Sequence, residues 1–231
     1  MLNLIYSENG LYTGRLSILK DSIFGDLRTK ASSVSIIPDF SRDRLAVEEF
    51  ITDIYARSYG ASIHVEYPVL MSVCDQDGEI LAATGFRSAS EEPLFLEQYL
   101  DKSVQEILQV SRDQIVEIGN LASDGGGASL YLFVALAAYL NDKGYTQVVV
   151  TSTNFLERRF QKIGFQPKRI ARADPGLLLS ERENWGSYYK TQPHVISLSV
   201  AQGYQCLQRL FGVQYTDYRL HLFPRVHYKK G

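Results

Sequence analysis

Two stretches of this sequence have residue types and spacing suited to acid–base chemistry and to anion binding. The first centres on Glu117, set inside the run Ile115-Val116-Glu117-Ile118-Gly119-Asn120-Leu121. A carboxylate among such apolar neighbours must be paired or must hold its proton more tightly than usual. One reading makes Glu117 a general base that takes a proton from an ammonium or a water at neutral pH. The other makes it half of a buried ion pair with Arg87 that ties two strands together. The two roles are compatible. The second stretch follows at once: Ser123-Asp124-Gly125-Gly126-Gly127-Ala128. Glycines between a strand and a helix let the backbone approach a ligand closely, and the amides of a first helical turn favour an anion such as a pyrophosphate. Gly125, Gly126, Gly127 and Ala128 are the candidate donors; the plainer alternative is a flexible connection that only opens the helix. The run is neither a G-x-G-x-x-G fingerprint nor a Walker loop.

The elements that must position these residues are legible from periodicity and turn signals. Gln114–Ala122 reads as a strand, about Ala128–Lys143 as a helix closed by Gly144, and Gln147–Ser152 as a second strand. Asn154–Ile163 is a short helix ended by Gly164, and Phe165–Ile170 a further strand. This alternation implies an α/β sheet with crossover helices. Upstream, Arg44–Tyr59 has helical spacing, and Val69–Cys74 and Ile80–Arg87 form a hairpin around Asp77-Gly78. Glu91–Leu108 holds one or two helices. Residues 1–40 are weakly patterned, with short strands near Leu2–Tyr6 and Ser33–Pro38, and an amphipathic helix is expected near Ile196–Leu210. Strand alternation puts Glu117 and Gly119 on one face and Ile118 and Asn120 on the other, so Glu117 and Asn120 are not expected to act side by side.

The 231 residues include 45% hydrophobic and 22% charged side chains, enough for a core in a single domain spanning 1–231. A net charge of −2 gives no global field for nucleic acid. Cys74 and Cys206 are read as reduced thiols of a cytoplasmic protein. His64, His194, His221 and His227 lack metal-ligand spacing, so no metal site is expected. The apolar stretch Ala128–Leu140 is too short for a bilayer and reads as a buried helix. The beginning of the chain lacks a basic flank and a long apolar run, and no secretory signal is expected. Trp185, Tyr188 and Tyr189 either shape a pocket or plug the late residues onto the sheet. The tail carries Arg219, Arg225, Lys229 and Lys230 against Asp217, a weakly basic end.

The run Asn154-Phe-Leu-Glu-Arg-Arg-Phe160-Gln-Lys-Ile-Gly164-Phe165 resembles the last motif of the GNAT N-acyltransferases, and the glycine loop one helix and one strand earlier resembles their pyrophosphate loop. The resemblance covers roughly residues 114–170. It implies an α/β, GNAT-like mixed twisted sheet flanked by helices, with a core of about 60–172 and a C-terminal helical and aromatic extension over 173–231. It also implies an acyl donor, either acyl-CoA or an acyl-carrier-protein thioester. The donor's pantetheine arm would add like a strand beside Ile118, Asn120 and Ser123, with Asn154 contacting it and a small amine as acceptor. Two departures stand out. Ser123-Asp124 replaces the usual Gln or Arg ahead of the glycines, and Phe160 stands where many such enzymes have a Tyr general acid.

Gly85-Phe86-Arg87, Phe95-Leu96-Glu97 and Val116-Glu117-Ile118-Gly119-Asn120 resemble the layout of acyl-homoserine lactone synthases, in which a strand Arg and a strand Glu match Arg87 and Glu117. Asn120 replaces an Arg common there. This likeness implies a medium or long acyl chain and, as an alternative, an autoinducer-type synthase using S-adenosylmethionine. Nearly the whole chain, including Tyr55-Ala56-Arg57, Tyr59-Gly60-Ala61, Gly119-Asn120-Leu121-Ala122 and Trp185-Gly186-x-Tyr188-Tyr189, is similar to the thermostable haemolysin family. That name implies a further alternative, a membrane-active protein, although the sequence has neither a membrane helix nor an alternating amphipathic strand pair.

Overall fold

The computed structural model describes residues 1–20, 27, 30–179 and 184–218. The basic residues Arg219, Arg225, Lys229 and Lys230 lie outside the described residues. The chain opens with β1 (Leu2–Glu8) and β2 (Leu11–Ile18), an antiparallel hairpin turned by Asn9-Gly10. Both turn residues have positive φ, 51° and 74°, as a two-residue hairpin turn requires. Sequence reading expects a strand only near Leu2–Tyr6 here; β2 is an addition. Next come β3 (Ser33–Pro38), α1 (Arg44–Tyr59), β4 (Val69–Cys74) and β5 (Ile80–Ser88). A 3₁₀ turn at Phe95–Tyr99 and the short α2 (Val104–Leu108) lead into β6 (Ile115–Ser123). The alternating half follows: α3 (Ala128–Asp142), β7 (Gln147–Ser152), α4 (Asn154–Lys162) and β8 (Lys168–Arg172). The chain continues through β9 (His194–Ser199), α5 (Val200–Phe211) and β10 (Val213–Asp217).

All ten strands form one mixed sheet in the order β10-β2-β1-β3-β4-β5-β6-β7-β9-β8. α1 packs on one face, where Ile51, Ile54 and Tyr55 meet Leu70, Ala83 and Ala122. α3 and α5 cover the other, where Leu132, Val134, Leu136 and Leu207 meet Val116, Ile118, Val148 and Val150. α3 is apolar almost all round and buried accordingly. No helix among the described residues is long and apolar enough to cross a membrane.

The stretch expected as a helix over Ile196–Leu210 divides at Ser199. Its first residues pair as β9 between β7 and β8, and helix begins only at Val200. Ser199 is the cap, its hydroxyl accepting from the Gln202 N–H at 3.4 Å. The β-branched pair Val195-Ile196 fits a buried strand better than a helix start.

Candidate active site

The site is built around a fork in the sheet. β6 and β7 run parallel, paired from Ile115 against Gln147 to Ile118 against Val150. Beyond that point β6 continues to Ser123 and β7 to Ser152 outside this pairing. On the other side of β6 the register with β5 jumps between Ala83↔Ala122 and Gly85↔Gly119, so Asn120 and Leu121 together oppose Thr84. This is a β-bulge, with Asn120 at φ 49° and the Thr84 hydroxyl donating to the Gly119 carbonyl at 2.8 Å. The extra residue resets the alternation. Leu121 joins Ile118 on the α3 face, and Ala122 packs under α1.

Three cavities converge on this fork. On the α1 face lies an aromatic cleft whose lining includes Tyr67, Arg87, Phe95, Tyr99, Trp185 and Tyr189, with Gly119, Asn120 and Thr151 at its base. An open groove runs from Gly119 and Asn120 past Ser123, Gly125 and Ser129 to Thr153, Phe155 and Arg159. On the opposite face is an apolar chamber whose walls include Ile118, Leu121, Phe133, Leu136, Val150 and Phe160. Cleft and groove share Gly119, Asn120 and Thr151. Groove and chamber share Leu121 and Val150, one from each prong.

Glu117 is 1% exposed and pairs across strands with Arg87, Arg87 Nε standing 3.4 Å from its carboxylate. Its two oxygens accept the backbone N–H groups of Phe95 at 3.0 Å and Leu96 at 2.8 Å. It therefore anchors the 3₁₀ turn that carries Phe95 and Tyr99 into the cleft, and it is not itself among the cleft's lining residues. Burial pushes its carboxyl up to about 7, against the pull of those two amides and Arg87. Arg87 does line the cleft. Its guanidinium lies 4.4 Å from the centre of the Tyr67 ring, donates to the Glu66 carbonyl at 3.1 Å and stands 3.4 Å from Glu92.

Of the proposed anion loop, Gly125, Gly126 and Gly127 all have positive φ, at 90°, 58° and 91°. Gly125 and the neighbouring Ser123 line the groove. Ala128 is fully buried and its N–H is bonded to the Gly125 carbonyl at 3.0 Å. Ser129, which sequence reading did not single out, takes its place on the groove wall. Asn154 also faces elsewhere: its carbonyl oxygen accepts from Arg169 at 2.9 Å and its amide reaches the Thr191 carbonyl at 3.5 Å. Its neighbours Thr153 and Phe155 line the groove instead. Ile118 and Asn120 both stand at the fork, and Asn120 belongs to cleft and groove alike.

Trp185, Tyr188 and Tyr189 both pack and line. Their rings interlock at 5.3–5.9 Å with one another, and all three form cleft wall. Phe160 sits with Phe133 and Phe165 at ring distances of 5.0 and 5.9 Å in the chamber, whose walls are almost wholly apolar. Tyr67 belongs to none of the motifs read from the sequence. The signal for it is a pair of glycines inside strands, Gly85 and Gly119, which in a sheet mark close approach by another group.

Residues 38–204 match the model of the family described as thermostable hemolysin. No curated protein matches the sequence. Among solved structures, the fold is shared with TofI in a ternary complex with an inhibitor and MTA, at 14% identity and a TM-score of 0.54, covering 76% of this chain and 96% of that one. It is shared with BjaI, a CoA-dependent acyl-homoserine lactone synthase with SAM and isopentyl-CoA bound (15%, TM-score 0.51, 79% and 90% covered). FeeM, an N-acyl amino acid synthase from uncultured soil microbes, is similar as well (12%, TM-score 0.50, 74% and 97% covered). The sheet is thus the GNAT-like mixed α/β sheet of these proteins.

Proposed function

This chain belongs to the thermostable hemolysin family, and from the meeting of its three cavities we propose that it is an N-acyltransferase. It moves a medium or long acyl chain from a thioester of coenzyme A or acyl carrier protein to a small amine or amino acid. The observation that carries the reading is that groove, cleft and chamber touch at one point, the β6–β7 fork. A thioester donor has three parts, and each finds a cavity of matching chemistry. The pantetheine arm lies in the groove as an added strand along Gly119–Ser123. Its phosphates reach the glycine loop, Ser129 and Arg159. The acyl tail passes between Leu121 and Val150 into the apolar chamber, and the amine enters through the aromatic cleft.

In this reading the backbone amides of the bulge polarise the thioester carbonyl and stabilise the oxyanion that develops on it. Holding amine and thioester together there supplies much of the rate. Arg87 and Glu117 keep the cleft in shape, and Glu117, its carboxyl raised to about 7, takes through water the proton that turns the incoming ammonium into the neutral amine before attack. The fold relatives support this reading, since BjaI and FeeM bear the names of acyl-homoserine lactone and N-acyl amino acid synthases.

The test is to incubate the protein with acetyl-, octanoyl- and palmitoyl-CoA and a panel of primary amines that includes amino acids and S-adenosylmethionine. Products are followed by mass spectrometry and thiol release by absorbance. An amide formed one-for-one with free thiol is expected. No amide above the uncatalysed background from any pairing, together with dye release from liposomes by the protein alone, would establish the membrane-active reading instead.

A further inference from the structure

We propose that Tyr67 is the residue that protonates the leaving thiol, taking the place that Phe160 cannot fill; the proposal rests on the acyl-transfer reading above. Tyr67 stands just before β4, and its ring lies flat against the sheet over a cross-strand pair of glycines, Gly85 of β5 and Gly119 of β6. The fit is close. A β-carbon at Gly85 would lie 2.5 Å from the Tyr67 Cβ, and one at Gly119 would lie 1.9 Å from its hydroxyl oxygen. Both glycines are thus fixed by this ring, and the ring delivers its hydroxyl to Gly119, the residue following the last paired position of the fork.

The hydroxyls around it are otherwise engaged. Tyr99 and Tyr189 bond each other, and Tyr188 donates to the Thr151 carbonyl at 3.2 Å. The Tyr67 hydroxyl has no hydrogen-bond partner among the described residues and opens on the cleft. Burial, reinforced by the charge of Glu117, keeps it protonated. Arg87, stacked on the ring, is the cation placed to steady it when it gives up its proton. By contrast Phe160 carries no acidic hydrogen and faces the chamber.

The step balances as follows. The amine nitrogen bonds to the thioester carbonyl carbon, and the adduct collapses with cleavage of the carbon–sulfur bond, the electron pair staying on sulfur. Tyr67 passes its proton to that sulfur and takes up the proton that nitrogen sheds. Amide and free thiol leave, and the tyrosine is neutral again.

The experiment is Tyr67→Phe assayed with two donors of one acyl group, a coenzyme A thioester and an ester of an electron-poor thiophenol. Thiophenolate departs without a proton. Loss of the acid should slow the coenzyme A thioester about 100-fold or more and the thiophenol ester far less. The change removes an atom that bonds nothing in the protein, so the fold should persist. Were part of the variant unfolded, the ratio of the two rates would still decide, because it does not depend on the amount of active protein. Equal losses on both donors, or no loss on either, would overturn the role of Tyr67 while leaving acyl transfer standing. A wild-type protein that transfers from neither donor would overturn both.

Discussion

The two faces of the sheet beside the fork solve different problems with different materials. On the α1 face the fit is set by single atoms. Two glycines carry one tyrosine ring, one arginine covers that ring, and a 1%-exposed carboxylate holds the backbone of the turn alongside. On the α3 face the lining is aliphatic and phenyl surface with almost no polar group, where many shapes of similar volume fit. Geometry matters for bond making, and volume matters for holding a hydrocarbon. A methyl group added on the first face should therefore do more harm than an indole added on the second.

The sharpest break of that contrast is Gly119→Ala. Its new methyl must displace the Tyr67 hydroxyl, and a shift of about 1 Å at a reacting centre can cost 100-fold in rate. We expect turnover to fall by about that factor, with about 1–3 kcal/mol of stability lost to overpacking. Adding Tyr67→Leu should recover stability in chemical denaturation and none of the turnover. A Gly119→Ala enzyme with wild-type kcat would mean that the ring has no part in the chemistry.

A smaller effect is expected at Glu117. In Glu117→Gln the amide NH₂ must confront one of the two backbone donors at Phe95 and Leu96, leaving a buried N–H without a partner, at about 1–3 kcal/mol. The pH dependence has a definite sign. The folded carboxyl titrates near 7 and its ordinary value is 4.5. Between those values the folded state keeps a proton that the unfolded chain releases, so stability falls as pH rises through this window, by at most about 3 kcal/mol. Denaturation midpoints at pH 5 and pH 8 should differ less in Glu117→Gln than in the wild type. An unchanged slope would mean that Glu117 stays ionised throughout.

A second carboxylate braces the same turn and sharpens the point. Glu97 is also pushed up by burial, but Arg112 at 2.7 Å and the N–H groups of Leu94 and Val104 outweigh it and hold the carboxyl low. Glu117 has one more distant arginine and a drier setting, and it alone of the two is poised near neutrality.

Much of the central fold was legible because strand, glycine loop, helix and strand follow one another with clean periodicity between Gln114 and Ser152. Glu117 stood out for the same reason, as a charge inside an apolar run. Arg87 could be named as its ion-pair partner, but its two hydrogen-bond donors could not, since they are backbone amides of a turn some twenty residues away that side-chain patterns cannot reveal. The bulge at Asn120 was equally hidden. Strict alternation predicts one face for Ile118 and Asn120, and the bulge residue at φ 49° opposite Thr84 breaks that pattern. Tyr67 belongs to no helix or strand and precedes Pro68, so only the two strand glycines pointed to it. Asn154 was placed by family likeness, and Arg169, an ion-pair partner of Glu157 at 2.9 Å, occupies its side chain.

The central claim is that a donor crosses the fork with its tail in the chamber. It is tested most directly by the melting temperature with acetyl-, octanoyl- and palmitoyl-CoA, for the wild type and for Leu136→Trp, which fills the chamber. The wild-type shift should grow with chain length as more apolar surface is buried, and Leu136→Trp should abolish that growth while keeping the acetyl-CoA shift. Equal wild-type shifts for all three donors, or loss of the acetyl-CoA shift in Leu136→Trp, would contradict it.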